Sequence, residues 1–270
     1  MPQAPQPAPP TLAPAPFTPE TKNVDLGDGA MLHFVRVPAG SLSTSSVEHH
    51  TFSQPFWMGM YEVRNRDYAR FDPEHDSRIE TGEFLQFSER ERGEPCNLPD
   101  QPVCRISRER AKAFCVWLSA KTGMRCRLPT AAEWEWAARA GSAAPCGWGD
   151  STNNFAKTAN LADQNLRSVM TLGWGLPSGA IPAYRPAATN VNDGFRVSAP
   201  VGSFHPNAWG LFDTAGNVWE WTAEPAADGR AVACGGSWYC RPEQALFDAR
   251  IAYPEWQPVY DVGFRIVMNP

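Results

Sequence analysis

The sequence predicts an α+β fold with little regular secondary structure, and three observations support it. Two amphipathic helical segments stand in the first half of the chain. After Ser142, short apolar stretches alternate with loops. The 270 residues include 26 prolines, 21 glycines and 11 tryptophans, a composition of turns packed around aromatic anchors rather than of a helical bundle.

Residues 1–22 open MPQAPQPAPP and are rich in alanine and proline. Such a segment favours polyproline II and buries no core. It reads as a flexible linker, of the kind that follows a signal peptide or another domain, ahead of one domain over 23–270. MLHFVRVPAGSL reads as a strand entering a Pro-Gly turn. FWMGMYEVRNRDYARF reads as a strand running into a short helix near Asn65. Residues 72–104 are charged and broken by proline and glycine, so a long surface loop is expected. The first long helix takes Ser107 as N-cap, buries Ala111, Phe114, Cys115 and Leu118 on one face, and ends at Gly123. In the second, LPTAAEWEWAARAG, Thr130 and Glu133 form a capping box, Gly141 is the stop, and Arg139 suits the helix dipole. APVGSF, WGLFD, NVWEWT, CGGSWYC and VGFRIV read as short strands of a mostly antiparallel half.

Net charge is −5 without a dense Lys/Arg run, which argues against nucleic acid and anionic membranes as partners. No apolar run reaches membrane-spanning length, and no secretory h-region is recognisable. Seven cysteines leave at least one unpaired in a monomer, the expected state; Cys96/Cys104 and Cys126/Cys146 are possible pairs. Their number leans towards an exported or periplasmic setting. The five histidines show no metal-ligand spacing such as HExxH.

GLFDTAGNVWEWT places Glu220 between Trp219 and Trp221. A carboxylate in such apolar surroundings needs a positive partner. An arginine such as Arg265 or Arg250, a bound cation, and simple strand alternation all remain open on the residues alone.

RLPTAAEWEWAARAG, NDGF, APVGSFHPNAWGLFDTAGNVWEW, GGSW and the terminal VGFRIV occur in an order that resembles the formylglycine-generating enzyme family, the sulfatase-modifying factors. The resemblance runs from about Met31 to the C-terminus. It implies a C-type-lectin-like fold whose loops are pinned by calcium. One implied site maps onto Asp213, Asn217 and Glu220. The other maps onto Asn160 and Asp193 with the carbonyls of Leu161 and Phe195. Hard oxygen donors on irregular backbone suit that ion, and the resemblance favours calcium over arginine as the partner of Glu220.

Family oxidases bind copper(I) through two thiolates, soft ligands suited to it. In CGGSWYCRPEQALFDAR the first falls on Cys240 and the second on Ala245, so the copper site is incomplete. Ser237 and Trp219 match other active-site positions. Cys234, across the Gly-Gly turn, is a displaced ligand or a disulfide partner of Cys240, or else Cys240 is a lone thiol lining a pocket. Three functions follow: a ligand-binding module, a noncanonical sulfatase-maturation-type oxidase converting cysteine to formylglycine, and a variable protein of a diversity-generating retroelement. Against the last, Glu243, Gln244, Glu255, Trp256 and Gln257 need codons that adenine mutagenesis of asparagine codons does not produce. For a binding module, Tyr239, Arg241, Tyr253, Trp256 and Tyr260 form the expected surface for a protein, peptide or glycan. The family's peptide groove lies beside them.

Overall fold

The computed structural model describes residues 18–44, 49–80, 93–149, 155–166, 188 and 190–269. The expected linker lies outside them up to residue 17. The first strand, β1, runs Thr21–Gly27, so the domain begins two residues before the boundary predicted at 23. β1 pairs antiparallel with β2 (Ala30–Val37) through a turn at Asp28 and Gly29, both with positive φ. β3 (Gly40–Leu42) and β4 (His50–Phe52) form a small pair, and β5 (Phe56–Gly59) returns beside β2. The short α1 (Asn65–Tyr68) follows as expected.

β6 (Ile79–Glu80) and β7 (Glu94–Pro95) pair across residues outside the described set. The expectation of a surface loop over 72–104 fails at its far end. Cys96, Val103 and Cys104 are fully buried, and Asn65 Nδ2 donates to the carbonyls of Cys96 and Gln101. A loop whose polar backbone finds side-chain partners can enter a core.

The helix α2 (Arg108–Thr122) has Ser107 accepting from the Arg110 N–H and ends at left-handed Gly123. In α3 (Ala131–Arg139) the Thr130/Glu133 capping box is formed. The left-handed stop comes at Ala140, one residue before Gly141, which is also left-handed. Between them β8 (Arg125–Arg127) joins the first sheet.

In the later half, β9 (Trp219–Pro225), β10 (Ala231–Cys234), β11 (Arg250–Tyr253), β12 (Val262–Gly263) and β13 (Val267–Asn269) are strands. APVGSF and WGLFD are not strands, and CGGSWYC leaves its strand at Cys234; all three follow irregular paths through turns, because their glycines take left-handed φ. Two principal sheets result: β1-β2-β5-β13-β8, and β11-β10-β9-β12, in which only the β12–β9 pair is parallel. α2 covers the main aromatic core of Tyr68, Phe114, Trp221 and Phe264. α3 covers the opposite side of β10, where Trp134 meets Cys234 and Phe247. Among the described residues no helix is long and apolar enough to cross a membrane.

Candidate functional site

Strand alternation explains the Trp-Glu-Trp triplet. Trp219 and Trp221 face the main core, and Glu220 faces the other side of β9. There its carboxylate meets the fully buried Arg265. Nε donates to Oε2 at 2.6 Å and Nη2 to Oε1 at 2.7 Å, while Trp134 Nε1 donates to Oε2 at 2.8 Å. Arg265 also donates to the carbonyls of Gly59 and Phe212. Of the partners left open on the residues alone, Arg265 is the one found. Arg250 pairs with Glu135 instead.

This pair sits among more carboxylates than it can neutralise. Burial, Asp213 and Glu220 together push the Glu62 carboxyl well above its ordinary value. Asp213 is pushed up to about 6, first by burial. Asp213 Oδ2 accepts from the Gly202 N–H, and its buried Oδ1 has no partner. Asn217 Oδ1 accepts from Asn160 Nδ2 and the Ala199 N–H, and its Nδ2 donates to Glu62. Two of the three side chains expected to meet calcium here, Asn217 and Glu220, therefore have their oxygens engaged by the protein. Asp213 keeps one buried oxygen that the protein does not engage.

The other expected cation loop differs. Asp193 receives the N–H groups of Leu161 and Phe195, at 3.0 and 2.9 Å. Its own N–H donates to Asp163, a carboxylate missed in the sequence. Burial and the neighbouring Asp163 push Asp193 up to about 7. Asn160 Oδ1 is buried without a partner. Two close carboxylates lie here without a guanidinium, and one buried amide oxygen of the same loop is left unsatisfied.

Both loops support one turn. Asn160 and Gly216 form an isolated bridge, and a Cβ on Gly216 would lie 2.0 Å from the Asn160 carbonyl oxygen. Glycine is therefore required there on spatial grounds. Asn217 O accepts from Trp238 N, Gly216 N donates to Gly235 O, and Ala162 N donates to Cys240 O. The Gly235–Cys240 turn is thus held from both loops. A Cβ on left-handed Gly236 would lie 2.5 Å from that of Ala245, so Ala245 is packed tightly against this turn.

Within the turn, Ser237 Oγ donates to Asp261 Oδ2 at 2.6 Å and lies 3.5 Å from Cys240 Sγ. Trp219 belongs to the same core cluster as Cys240, and its backbone N–H donates to Asp261 O. The structure thus brings together the expected Cys240, Ser237 and Trp219. It adds Asp261, which the sequence reading missed although it directly precedes the Val-Gly-Phe-Arg motif. Burial pushes Asp261 up to about 6 and leaves its Oδ1 without a partner. Burial likewise pushes the Cys240 thiol up to about 11. Cys234 lies on the opposite face of β10, with Trp134 and Phe247, whereas Cys240 belongs to the main core with Ala231 and Ala233. It therefore neither completes a site with Cys240 nor bonds to it.

The expected ligand surface divides. Tyr239 and Tyr260 pack on Trp238 with centroids 5.6 and 6.0 Å away. Tyr253 packs edge-on against Trp221. Trp256 is 67% exposed. Arg241 is exposed and precedes a short 3-10 turn, its N–H donating to Gln244.

The model of the sulfatase-modifying factor enzyme 1-like domain matches residues 25–270. A formylglycine-generating enzyme of Streptomyces coelicolor is 32% identical over 53% of this chain and 43% of its own length. The chain thus spans under half the length of that relative. The inactive C-alpha-formylglycine-generating enzyme 2 of Bos taurus is 28% identical over 80% of this chain and 79% of its own. Among solved structures, PvdO from Pseudomonas aeruginosa is similar at 25% identity, TM-score 0.66, covering 96% of this chain and all of the other. Treponema denticola variable protein 1 shares the fold at 20% identity, TM-score 0.68, covering 94% of this chain and all of the other.

Proposed function

The chain belongs to the sulfatase-modifying factor enzyme 1-like family, and from that premise we propose that it is a ligand-binding module of the family rather than a copper oxidase. One observation carries the reading: Cys240 has no second thiol. The position of the second family ligand is Ala245, buried against Gly236, and Cys234 faces away. A lone thiol held protonated by burial is a poor copper(I) ligand. The long match to a relative named as inactive supports the same reading.

In this proposal the exposed Trp256 anchors a protein, peptide or glycan ligand, and Arg241, Tyr239, Tyr253 and Tyr260 supply the further contacts. Calcium held by Asn160, Asp193 and Asp163 would neutralise the carboxylates behind Cys240 and keep the turn rigid. Such preorganisation lowers the ordering cost of binding.

The Ser237–Asp261 bond favours a second reading. A carboxylate, a hydroxyl and a thiol in line, beside Trp219, could serve a noncanonical sulfatase-maturation-type oxidase with Cys240 as its one redox thiol. The likeness to the Treponema variable protein concerns the fold and adds nothing for diversification.

The test mixes reduced, copper(I)-supplied protein with a cysteine-containing sulfatase peptide and follows binding and oxygen together. Binding with oxygen uptake at background is expected, and Trp256→Ala should weaken it about tenfold. Sustained oxygen uptake with conversion of the peptide cysteine to formylglycine would overturn the module reading and support the second.

A further inference from the structure

Two cysteines outside the Cys240 turn lie in one buried cluster. Cys96 and Cys104 are each 1% exposed and share a buried cluster with Val197, Val218 and Trp238. Adjacent residues hold both. The Cys96 N–H donates to the Arg78 carbonyl at 3.0 Å, and the Cys104 N–H to Ser77 Oγ at 3.0 Å. Both side chains enter this one cluster, and Ser77 Oγ also donates to the Cys104 carbonyl. The intervening segment is fixed at several points. Gln101 Nε2 donates to the carbonyls of Pro95 and Ser198, and the Asn65 amide binds the carbonyls of Cys96, Leu98 and Gln101. The other cysteines are placed differently: Cys234 and Cys240 face opposite sides of β10, and Cys115 lies deep under α2.

We propose that Cys96 and Cys104 form an intrachain disulfide when the chain folds in an oxidising environment, locking the segment that backs Trp238 and Gly263. The consequence reaches the site. Val103, within the closed loop, packs its carbonyl where a Cβ on Gly263 would lie, at 2.4 Å. Trp238, between Ser237 and Tyr239, rests on the two sulfurs' cluster.

With oxidised glutathione as the oxidant, the Cys96 thiolate displaces one glutathione thiolate and forms a mixed disulfide. The Cys104 thiolate then attacks Cys96 Sγ and releases the second. The net reaction turns two protein thiols and one oxidised glutathione into one protein disulfide and two reduced glutathiones. The buried site has no room for the mixed disulfide, so the exchange belongs to the folding chain.

The test refolds the full chain in a glutathione redox buffer, alkylates it in denaturant without reductant, and digests it with trypsin. One peptide, Gly93–Arg105, carries both cysteines. It is expected unalkylated and about 2 Da lighter than its reduced form, with Cys115 and Cys240 alkylated. Recovery of that peptide with both cysteines alkylated would overturn the proposal. A second readout keeps it falsifiable. Oxidised wild type should melt roughly 5–10 °C above reduced. Cys104→Ser should lose that difference and Cys115→Ser should keep it; the reverse pattern would also overturn the proposal. Neither readout depends on copper or on a ligand.

Discussion

The loop over 213–220 and the loop around 160 and 193 present similar chemistry, buried carboxylates and amides on irregular backbone, yet the protein treats them differently. In the first, Arg265 answers Glu220 with two short hydrogen bonds. In the second, Asp163 and Asp193 face each other without a guanidinium, and Asn160 leaves an oxygen unsatisfied. Burial demands a counter-charge, but the backbone alone does not say whether a side chain or an ion supplies it. Asp261 is a third case: a single hydroxyl meets it, and burial raises its pKa instead.

Removing Arg265 is the harshest way to break this comparison. Arg265→Met leaves Glu220 buried and unpaired and should cost about 3–5 kcal/mol in chemical denaturation. Adding Glu220→Gln should recover part of the loss. A cost under about 1 kcal/mol would mean that something other than Arg265 neutralises Glu220.

Asp261 sharpens the comparison through pH. Burial holds its pKa near 6 against an ordinary 3.8, so the folded chain binds this proton more tightly than the unfolded one. Its contribution to stability is full below pH 3.8 and falls by up to about 3 kcal/mol as pH rises through 6. Asp261→Asn keeps an acceptor for Ser237 and removes the titration. The variant should therefore gain stability over wild type at pH 7 and lose that advantage at pH 4, as paired melts would show.

Calcium separates the two loops directly. At a hundredfold excess over its Kd it should add about 2.7 kcal/mol, seen as a higher melting temperature than in a chelator. Asp193→Asn should abolish the increment and Glu220→Gln should keep it. An increment that instead disappears with Glu220→Gln would assign the ion to the loop this account gives to Arg265.

The smallest effect sets the scale. Thr130→Ala removes one oxygen from the α3 capping box, whose side chains touch neither Asp163 nor Asp193, and should cost about 1 kcal/mol with no dependence on calcium.

Legibility in the sequence followed local physics. The two long helices, with Ser107 and the Thr130–Glu133 box, were readable because caps and apolar periodicity are local signals. The placement of Glu220 opposite its tryptophans followed from strand alternation. Its partner did not, because Arg265 lies far along the chain and is brought beside it by the parallel β12–β9 pairing. Asp163 and Asp261 were missed because an isolated aspartate carries no spacing signal. The segment ending at Cys104 looked like surface because its charges and prolines hid the amide of Asn65, which makes its burial tolerable. APVGSF and WGLFD looked like strands because short apolar runs read alike whether they pair or only pack.

The most direct measurement of the central claim, that Cys240 is a lone thiol and not half of a copper centre, is a copper(I) competition titration against a chromogenic chelator. It compares wild type with Ala245→Cys under reducing conditions. The account predicts that wild type fails to hold one copper(I) per chain, while the variant, with a second thiol restored at the family position, does so at least a hundredfold more tightly (about 2.8 kcal/mol). Tight one-to-one binding by wild type, lost in Cys240→Ser, would contradict it.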